Sequence, residues 1–229
     1  MSSKALDDLK KGVDEVKYLR RLSPLKDAIA TGVKASTARA HGRACVVLLN
    51  SHYERYLRAV NEEALNWLIG SSIKSEELPE IIRLMHSRAA IDRISETNWD
   101  KRGEMLVEFA DIDAKLWSKS TVLPSLESSK ILIMKAPHSR EVKRFYAMYG
   151  IIDIFSKATR RPDRRSHLWL KLQEMVDKRN NIAHGDFTTE ALPSEISSYL
   201  DAVLKFCSSS DKIFAKQLKT IAKSATLPW

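Results

Sequence analysis

Glycine, proline and cysteine are all scarce in this chain of 229 residues, which contains seven glycines, seven prolines and two cysteines. An architecture of many short strands needs frequent turn residues, so the low glycine and proline content argues against a β-sandwich or a β-barrel. Cys45 and Cys207 are too few and too far apart in the sequence for a disulfide framework or a zinc site. Cys45 lies in an apolar run, where we expect it to pack as a small hydrophobic side chain.

Long hydrophobic runs are missing as well. The sequence has no stretch of about eighteen apolar residues that could span a membrane, and it does not open with a charged segment followed by an apolar one. These absences predict a protein with no membrane span and no secretory signal, for which the cytoplasm is the default location. With 44% hydrophobic and 29% charged residues, the chain is long enough to bury one full core.

Apolar residues recur at intervals of three and four through most of the chain, which is the pattern of amphipathic helices. The longest such pattern, over 36–69, has an apolar face that includes Val46, Leu49 and Tyr53. The four apolar residues at 131–134 fit either a short strand or a turn of helix. Other predicted helices cover 5–22, 78–94, 103–117, 139–149, 164–184 and 193–223.

The sequence therefore predicts an all-α fold. We expect one domain over 1–229, with an N-terminal helical extension over 1–35, a core bundle over 36–206 and a C-terminal helical tail over 207–229. No internal repeat and no low-complexity segment divides the chain further.

The end of the predicted helix over 164–184 concentrates side chains suited to phosphate chemistry. Arg179 offers a forked, permanently charged donor for phosphate oxygens, and His184 can both accept and donate a proton near neutral pH. Asn180 lies four residues before His184 and shares its helix face, and we expect Gly185 to end the helix. In a simpler alternative, Arg179 pairs with an acid and His184 only occupies a helix C-terminus.

A second arginine and histidine with similar spacing, Arg161 and His167, lie nearby. Spacing alone is weak support for a site, and the surroundings separate the two pairs. Arg179 follows an amphipathic run, whereas Arg161 directly precedes Pro162 in a charge-dense segment that looks like a loop.

The segment Arg179-Asn180-Asn181-Ile182-Ala183-His184-Gly185 resembles the signature of the HEPN superfamily, an arginine, usually a polar residue, and then a histidine. A second segment, over 43–57, is similar to an early helix of the prokaryotic defence-associated HEPN-like nucleases. The resemblance implies a HEPN-like helical bundle with additional N- and C-terminal helices. It also implies a homodimer with two motifs in one cleft, which acts as a metal-independent RNase in toxin–antitoxin or anti-phage defence systems. As partner, the resemblance implies a cognate antitoxin or a nucleotidyltransferase.

An acid on the early helix is also implied by the resemblance, and Glu54 is the candidate. There it would lie near the motif, and its carboxylate would orient Arg179 or His184. The alternative is an ordinary surface pair, because Glu54 and Arg58 are four residues apart on one helix.

The formal net charge of +9 favours polyanionic partners. Basic residues are dense between 140 and 165, and the residues predicted to contact RNA are Arg144, Lys157, Arg160, Arg161, Arg164 and Arg165. A solvated surface without a ligand would explain the same cluster. Tyr146, Tyr149 and Phe155 interleave with these residues and either stack on unpaired bases or belong to the core.

The function predicted from these features is RNA cleavage by transesterification, in which the ribose 2′-hydroxyl attacks the adjacent phosphate. His184 would move protons, Arg179 would stabilise the charge of the transition state, and Asn180 would bind a phosphate oxygen or hold the imidazole. His41, His86 and His138 show no metal-ligand spacing, so we predict no metal ion and no other cofactor.

Two other classes of function stay open from the sequence. One is a non-catalytic HEPN-like module that binds RNA, a nucleotide or a protein. The other is a helical interaction protein in which the motif is purely structural. For the nuclease we expect a homodimer, because a single well-placed histidine in each chain leaves either the acid or the base unassigned.

Overall fold

The structure, a computed structural model, describes residues 1–22, 33–132, 134 and 136–229, and this part of the chain contains α-helices, two single 3₁₀ turns and no β-strand. The all-α prediction is therefore confirmed. In chain order, the helices are α1 (Lys4–Arg21), α2 (Val33–Gly70), α3 (Glu80–Glu96), α4 (Arg102–Ile112), α5 (Ala114–Trp117), α6 (Ser128–Ile131), α7 (Ser139–Met148), α8 (Ile154–Ala158), α9 (Pro162–Ala183) and α10 (Pro193–Ile221).

Helix α2 is the centre of the bundle, and α1, α9 and α10 pack along it. Its apolar face recurs at helical spacing, and Val46, Leu49, Tyr53 and Leu57 on that face have no exposed surface. Burying one such side chain stabilises the fold by roughly 1.5–3 kcal/mol. The predicted long helix is confirmed and is slightly longer than expected.

An aromatic cluster joins α7 to α10. Tyr146 and Tyr149 meet Phe214 edge to face, with ring centroids 5.4 Å and 4.7 Å apart, and each such pair contributes about 0.5–1.5 kcal/mol beyond area burial. Tyr146, Tyr149 and Phe155 are all at most 1% exposed. These three aromatic residues therefore belong to the core, and stacking on RNA bases was the wrong alternative.

Helix α1 is part of the same core. Leu9, Val13 and Val16 are buried, and Gly12 allows a close approach to α2, because a Cβ placed there would lie 2.4 Å from Nδ1 of His52. On α2, the carboxylate of Glu63 accepts hydrogen bonds from backbone N–H groups at the start of α1. Residues 23–32 of the predicted N-terminal extension lie outside the described part of the chain.

Two of the shorter elements differ from the expected pattern. The predicted helix over 103–117 is split into α4 and α5. Helix α8 was not expected, because five residues are too few to show a helical period; it begins where the carboxylate of Asp153 accepts N–H bonds from Phe155 and Ser156.

The predicted division at 206/207 falls inside the continuous helix α10. In the ambiguous segment 131–134, Ile131 ends α6 and Ile133 lies outside the described residues.

Helix α9 carries the predicted motif at its C-terminal end. Pro162 occupies its first turn, where its fixed φ suits a helix start and its missing N–H is not needed. Leu168, Leu172, Met175 and Val176 are buried, and the helix packs against α2 and α10. The core thus fixes the direction of α9 and leaves its last turn at the surface.

Candidate active site at the end of helix α9

The structure brings Arg179 and Asn180 into direct contact. The guanidinium of Arg179 donates a hydrogen bond from Nη1 to Oδ1 of Asn180 at 3.2 Å, and both side chains are half-buried. His184 follows as the C-cap residue of α9 and is exposed, and its backbone N–H donates to the carbonyl of Asn180 at 2.9 Å. Arg179 and Asn180 are therefore in side-chain contact at this helix end, and His184 is joined to Asn180 through its backbone.

Gly185 ends α9 as expected. Its φ of +86° is in the left-handed region, which glycine adopts without steric cost. The N–H of Gly185 donates to the carbonyl of Ile182 at 3.1 Å, and the N–H of Asp186 donates to that of Asn181 at 3.0 Å. These two bonds form a Schellman motif, which satisfies the last carbonyls of the helix and turns the chain sharply after His184.

The loop after the motif is braced by its own side chains. The carboxylate of Asp186 accepts from the backbone N–H of Thr188 at 2.8 Å and from the hydroxyls of Thr188 and Thr189, each at 2.6 Å. Hydrogen bonds from the Thr188 and Thr189 hydroxyls and from the Thr188 N–H lower the pKa of Asp186 to about 2. The carboxylate therefore stays ionised, and continues to accept these bonds, over the whole pH range of an enzyme assay.

Helix α2 holds the same loop from the other side. Arg43 donates to the backbone carbonyl of Phe187 at 3.0 Å, and Arg39 pairs with Glu190 at 2.9 Å. A Cβ at Gly42 would lie 2.3 Å from the carbonyl oxygen of Ala191, so only glycine allows this approach. Arg43 opens the segment that resembles an early HEPN helix, and its contact with the motif loop gives that segment a structural role.

Lys178, one residue before Arg179, ties the loop to α10. Its ammonium donates to the carbonyl of Glu190 at 2.8 Å and to both carboxylate oxygens of Glu195 at 2.7 Å. Glu195 also accepts from the N–H of Leu192 at 2.9 Å, where α10 begins. Partial burial raises the pKa of Glu195, but the hydrogen bonds from Lys178 and Leu192 outweigh it, and the net shift is downward.

The side chain of Phe187 is 81% exposed although its backbone is held in place. Phe187 therefore presents a large apolar side chain to solvent three residues after His184.

His138 completes a polar network around Asn180, and sequence reasoning missed it. It immediately precedes α7, and its Nε2 lies 3.3 Å from Nδ2 of Asn180. Its Nδ1 lies 2.8 Å from Nε2 of Gln173 and 3.5 Å from Oδ1 of Asp177. Gln173, Asp177 and Asn180 are spaced by four and three residues and form one polar stripe on α9, which was a usable signal. Nothing local in the sequence links His138 to that stripe.

Glu54 forms the pair with Arg58 that was the alternative to a role in the site. Its carboxylate accepts from Arg58 at 2.8 Å, and Arg58 also donates to the carbonyl of Met134 at 3.1 Å. Eleven residues of α2 separate Glu54 from Arg43, which is about 16 Å along the helix axis. Among the contacts of the described residues, Glu54 has none with Arg179, Asn180 or His184, and its role in the site stays a prediction.

The predicted RNA-binding residues lie toward the opposite end of α9. Arg161 pairs with Asp163 and Arg144 pairs with Glu141, at 2.9 Å and 2.8 Å. Within the described residues, no acidic partner is found for the other four, which are Lys157, Arg160, Arg164 and Arg165. Arg165 also lines a cleft of about 390 Å³ together with Lys143 and Trp169. From Arg164 to Arg179 the helix rises about 22 Å, so a ligand that touches both must follow α9.

Within 1–22, 33–132, 134 and 136–229, no three His, Cys, Asp or Glu side chains are grouped so that they could hold a metal ion. None of the helices in this part of the chain is long and apolar enough to cross a membrane. Both cysteines are free and fully buried, as expected for small hydrophobic side chains.

Comparison with known proteins identifies the family. The family model described as RiboL-PSP-HEPN matches residues 7–216, which include nearly all of α1, the whole of α2 and α9, and most of α10. No curated protein and no solved structure matches the chain. The match covers most of the chain and contains the motif at Arg179–His184, and the chain therefore belongs to the RiboL-PSP-HEPN family of the HEPN superfamily.

Proposed function

We propose that this protein is a metal-independent endoribonuclease. Membership of the HEPN superfamily favours a nuclease-like or RNA-binding module. The observation that carries the proposal is the contact between Arg179 and Asn180 one turn before the exposed His184. These three side chains supply a fixed positive charge, an amide and a proton carrier in one place.

The reaction needs only the substrate's own nucleophile. The 2′-hydroxyl oxygen of a ribose forms a bond to the adjacent phosphorus while a base removes its proton, and the bond from phosphorus to the 5′-oxygen breaks while an acid protonates that oxygen. Arg179 stabilises the extra negative charge on the phosphorane, where electrostatic stabilisation is often the largest catalytic contribution. Asn180 donates to a phosphate oxygen or orients Arg179. The products are a 2′,3′-cyclic phosphate and a 5′-hydroxyl.

A homodimer completes the site in this proposal. One His184 cannot be base and acid at the same step, and a two-fold axis beside the end of α9 brings in the second His184. The exposed ring of Phe187 supports this proposal, because such a dimer would bury it while Arg43 holds its backbone.

The substrate is RNA that runs along α9 from the basic cluster to the motif, and Glu54 stays a candidate for orienting the site from α2. The biological setting that fits is a toxin–antitoxin or anti-phage defence system in the cytoplasm, with an antitoxin or a nucleotidyltransferase as partner. This setting rests on the resemblance of the motif and of the segment 43–57 to defence-associated HEPN nucleases.

The product ends of purified protein acting on RNA test the proposal. Cleavage should persist in EDTA, should be absent on DNA and on RNA with a 2′-methoxy group at the cut site, and should leave cyclic phosphate ends. Fragments with 5′-phosphates would instead indicate a metal-activated water. Binding of RNA with no cleavage, by wild type and His184→Ala alike, would favour the alternative of a non-catalytic RNA-, nucleotide- or protein-binding module.

A further inference from the structure

We propose that His138 is a positioning residue of this site, which holds the side-chain amide of Asn180 and through it the guanidinium of Arg179. The inference deepens the proposed nuclease function and rests on it for its kinetic consequences, but the geometry of the network can be tested without any substrate.

Both the oxygen and the nitrogen of the Asn180 side-chain amide have a partner. Its Oδ1 accepts from Arg179 at 3.2 Å, so its Nδ2 faces Nε2 of His138 at 3.3 Å. For Nδ2 to donate, Nε2 must be the unprotonated nitrogen of a neutral imidazole, and the ring proton must be on Nδ1. The orientation of Asn180 thus requires one particular tautomer of His138.

The charges around His138 favour that tautomer. The carboxylate of Asp177 lies on the Nδ1 side, with Oδ1 3.5 Å away, and attracts a proton to Nδ1. The guanidinium of Arg179 lies on the Nε2 side, behind Asn180, and favours a lone pair there. Polarisation by Arg179 also makes the N–H of Asn180 a better donor.

Gln173 is the rival donor. Its Nε2 lies 2.8 Å from Nδ1 of His138 and 3.0 Å and 3.1 Å from the two carboxylate oxygens of Asp177. A neutral imidazole has one accepting nitrogen, so Gln173 and Asn180 cannot both donate to it. In the proposed arrangement, Gln173 turns both hydrogens toward Asp177, and its Nε2 draws back from Nδ1 of His138, because two N–H donors repel each other at 2.8 Å.

Both ring nitrogens of His138 are engaged within the chain, and its side chain is only about one third exposed, at 32%. No nitrogen is left to exchange a proton with a substrate. The role that follows is to position Asn180 and Arg179, and the acid and base of the reaction are left to His184.

Replacing His138 by glutamine and by asparagine, two amides of different length, shows whether it positions Asn180 or transfers a proton. The amide of glutamine reaches the place of Nε2 and can accept from Asn180, whereas that of asparagine reaches only the place of Nδ1. We expect His138→Gln to keep cleavage within about tenfold of wild type, and His138→Asn and His138→Ala to lose about 10²-fold, mainly in kcat, as for a misplacement of about 1 Å. His167→Ala, which removes an exposed histidine of α9, the helix that carries Asn180, is the control and should be neutral.

The pH profile of cleavage gives a second readout. His138→Gln should keep both limbs of the wild-type profile, because glutamine cannot replace an acid or a base. The proposal is overturned if His138→Gln loses one limb of the profile. It is also overturned if His138→Ala cleaves as well as wild type, or if folded His138→Gln and His138→Ala are equally inactive.

The tautomer is measured by the ¹⁵N chemical shifts of the imidazole in the free protein. An unprotonated Nε2 in wild type, with a shift that changes in Asn180→Ala, supports the proposal, and a protonated Nε2 in neutral His138 overturns it. If wild type does not cleave RNA, the nuclease function fails while this measurement still decides whether His138 holds Asn180.

Discussion

Asn180 and His138 lie 42 residues apart in the chain, and their side chains meet at 3.3 Å beside the motif arginine. Asn180, the polar residue of the motif, therefore makes a contact outside its own helix. It connects the end of α9 to the start of α7, so the arrangement of Arg179 depends on how those two helices are packed by the core.

The first prediction concerns Arg179 and His184, the two motif residues proposed to act in the reaction itself. Arg179→Ala should lower the cleavage rate by about 10²–10³-fold, as for loss of one electrostatic donor, and His184→Ala by about 10²–10⁴-fold, as for loss of a general acid or base. Arg179→Lys should also be poor, because a point charge does not replace the planar fork. Rates are measured in single turnover, with circular dichroism to show an intact fold. Arg88→Ala on α3 is the control, and undiminished cleavage by folded His184→Ala contradicts the assignment.

The second prediction concerns the dimer. Phe187→Asp should weaken self-association by more than about tenfold, because burying a phenylalanine contributes roughly 1.5–3 kcal/mol. Sedimentation velocity over a range of concentrations measures the effect. Val107→Asp on α4, at a residue that is 63% exposed, is the matched control and should have no effect. A monomeric wild type, or an unchanged dimer in Phe187→Asp, would remove the support for this surface.

A shared cleft also predicts interference between subunits. After exchange of subunits, an equal amount of His184→Ala added to a fixed amount of wild type should reduce activity to about half, since only half of the wild-type chains then face a wild-type partner. Activity that stays constant would mean that each chain works alone.

The third prediction concerns salt. The logarithm of RNA affinity should fall with the logarithm of salt concentration, and replacing Arg160 or Arg164 by Gln should reduce the slope by about 0.7 each on single strands. Arg144 and Arg161 are already paired with acids, so their replacement should change the slope less. Filter binding from low to high salt measures the slopes. Equal slopes for all variants would indicate that RNA binds elsewhere.

The fourth prediction concerns Gly185. Alanine there should destabilise the fold by about 1–2 kcal/mol, because its φ of +86° is strained for any residue with a Cβ. No neighbouring atom lies within 4 Å of the added Cβ, so the cost is conformational and not steric. Gly103, in α4 and equally open, is the control, and Gly103→Ala should stabilise by about 0.4–1 kcal/mol. Urea unfolding compares the two; equal effects would contradict the Schellman assignment.

The fifth prediction concerns pH and Glu195. Because its pKa in the folded state is lowered, its ionised form stabilises the fold above the unfolded pKa, and this contribution disappears as pH falls through the folded pKa. Glu195→Gln should therefore lower the free energy of unfolding at pH 7 by roughly 0.5–1 kcal/mol and have little effect near pH 3. Urea unfolding at the two pH values tests this, and a difference that grows toward low pH would contradict it.

Local patterns in the sequence predicted the elements that have local causes. The end of α9 was correct because Gly185 stops a helix by its own backbone freedom, and α2 was correct because its apolar face repeats over many turns. Helix α8 was not predicted, because five residues show no helical period of apolar side chains and the helix begins at a cap formed by Asp153.

The rest of the site could not be read from local signals. His138 reaches Asn180 only because the bundle packs α7 beside α9, and no spacing in the chain encodes that contact. The loop after His184 depends on Gly42 and Arg43, which lie more than 140 residues earlier. Tyr146 and Tyr149 are interleaved with basic residues in the sequence but turn inward, because the opposite face of α7 carries the charges.

Helix α9 is one uninterrupted element from Pro162 to Ala183, so the distance between its basic N-terminal end and the motif at its C-terminal end is fixed. The distance of about 22 Å from Arg164 to Arg179 corresponds to roughly six nucleotides if a stacked strand is taken to rise about 3.4 Å per phosphate, as one strand of a DNA duplex does. Oligonucleotides shorter than that can occupy the basic end or the motif, but not both. Substrate length should thus show a threshold, above which the motif gains the binding energy of a distant site and below which cutting depends on the motif alone.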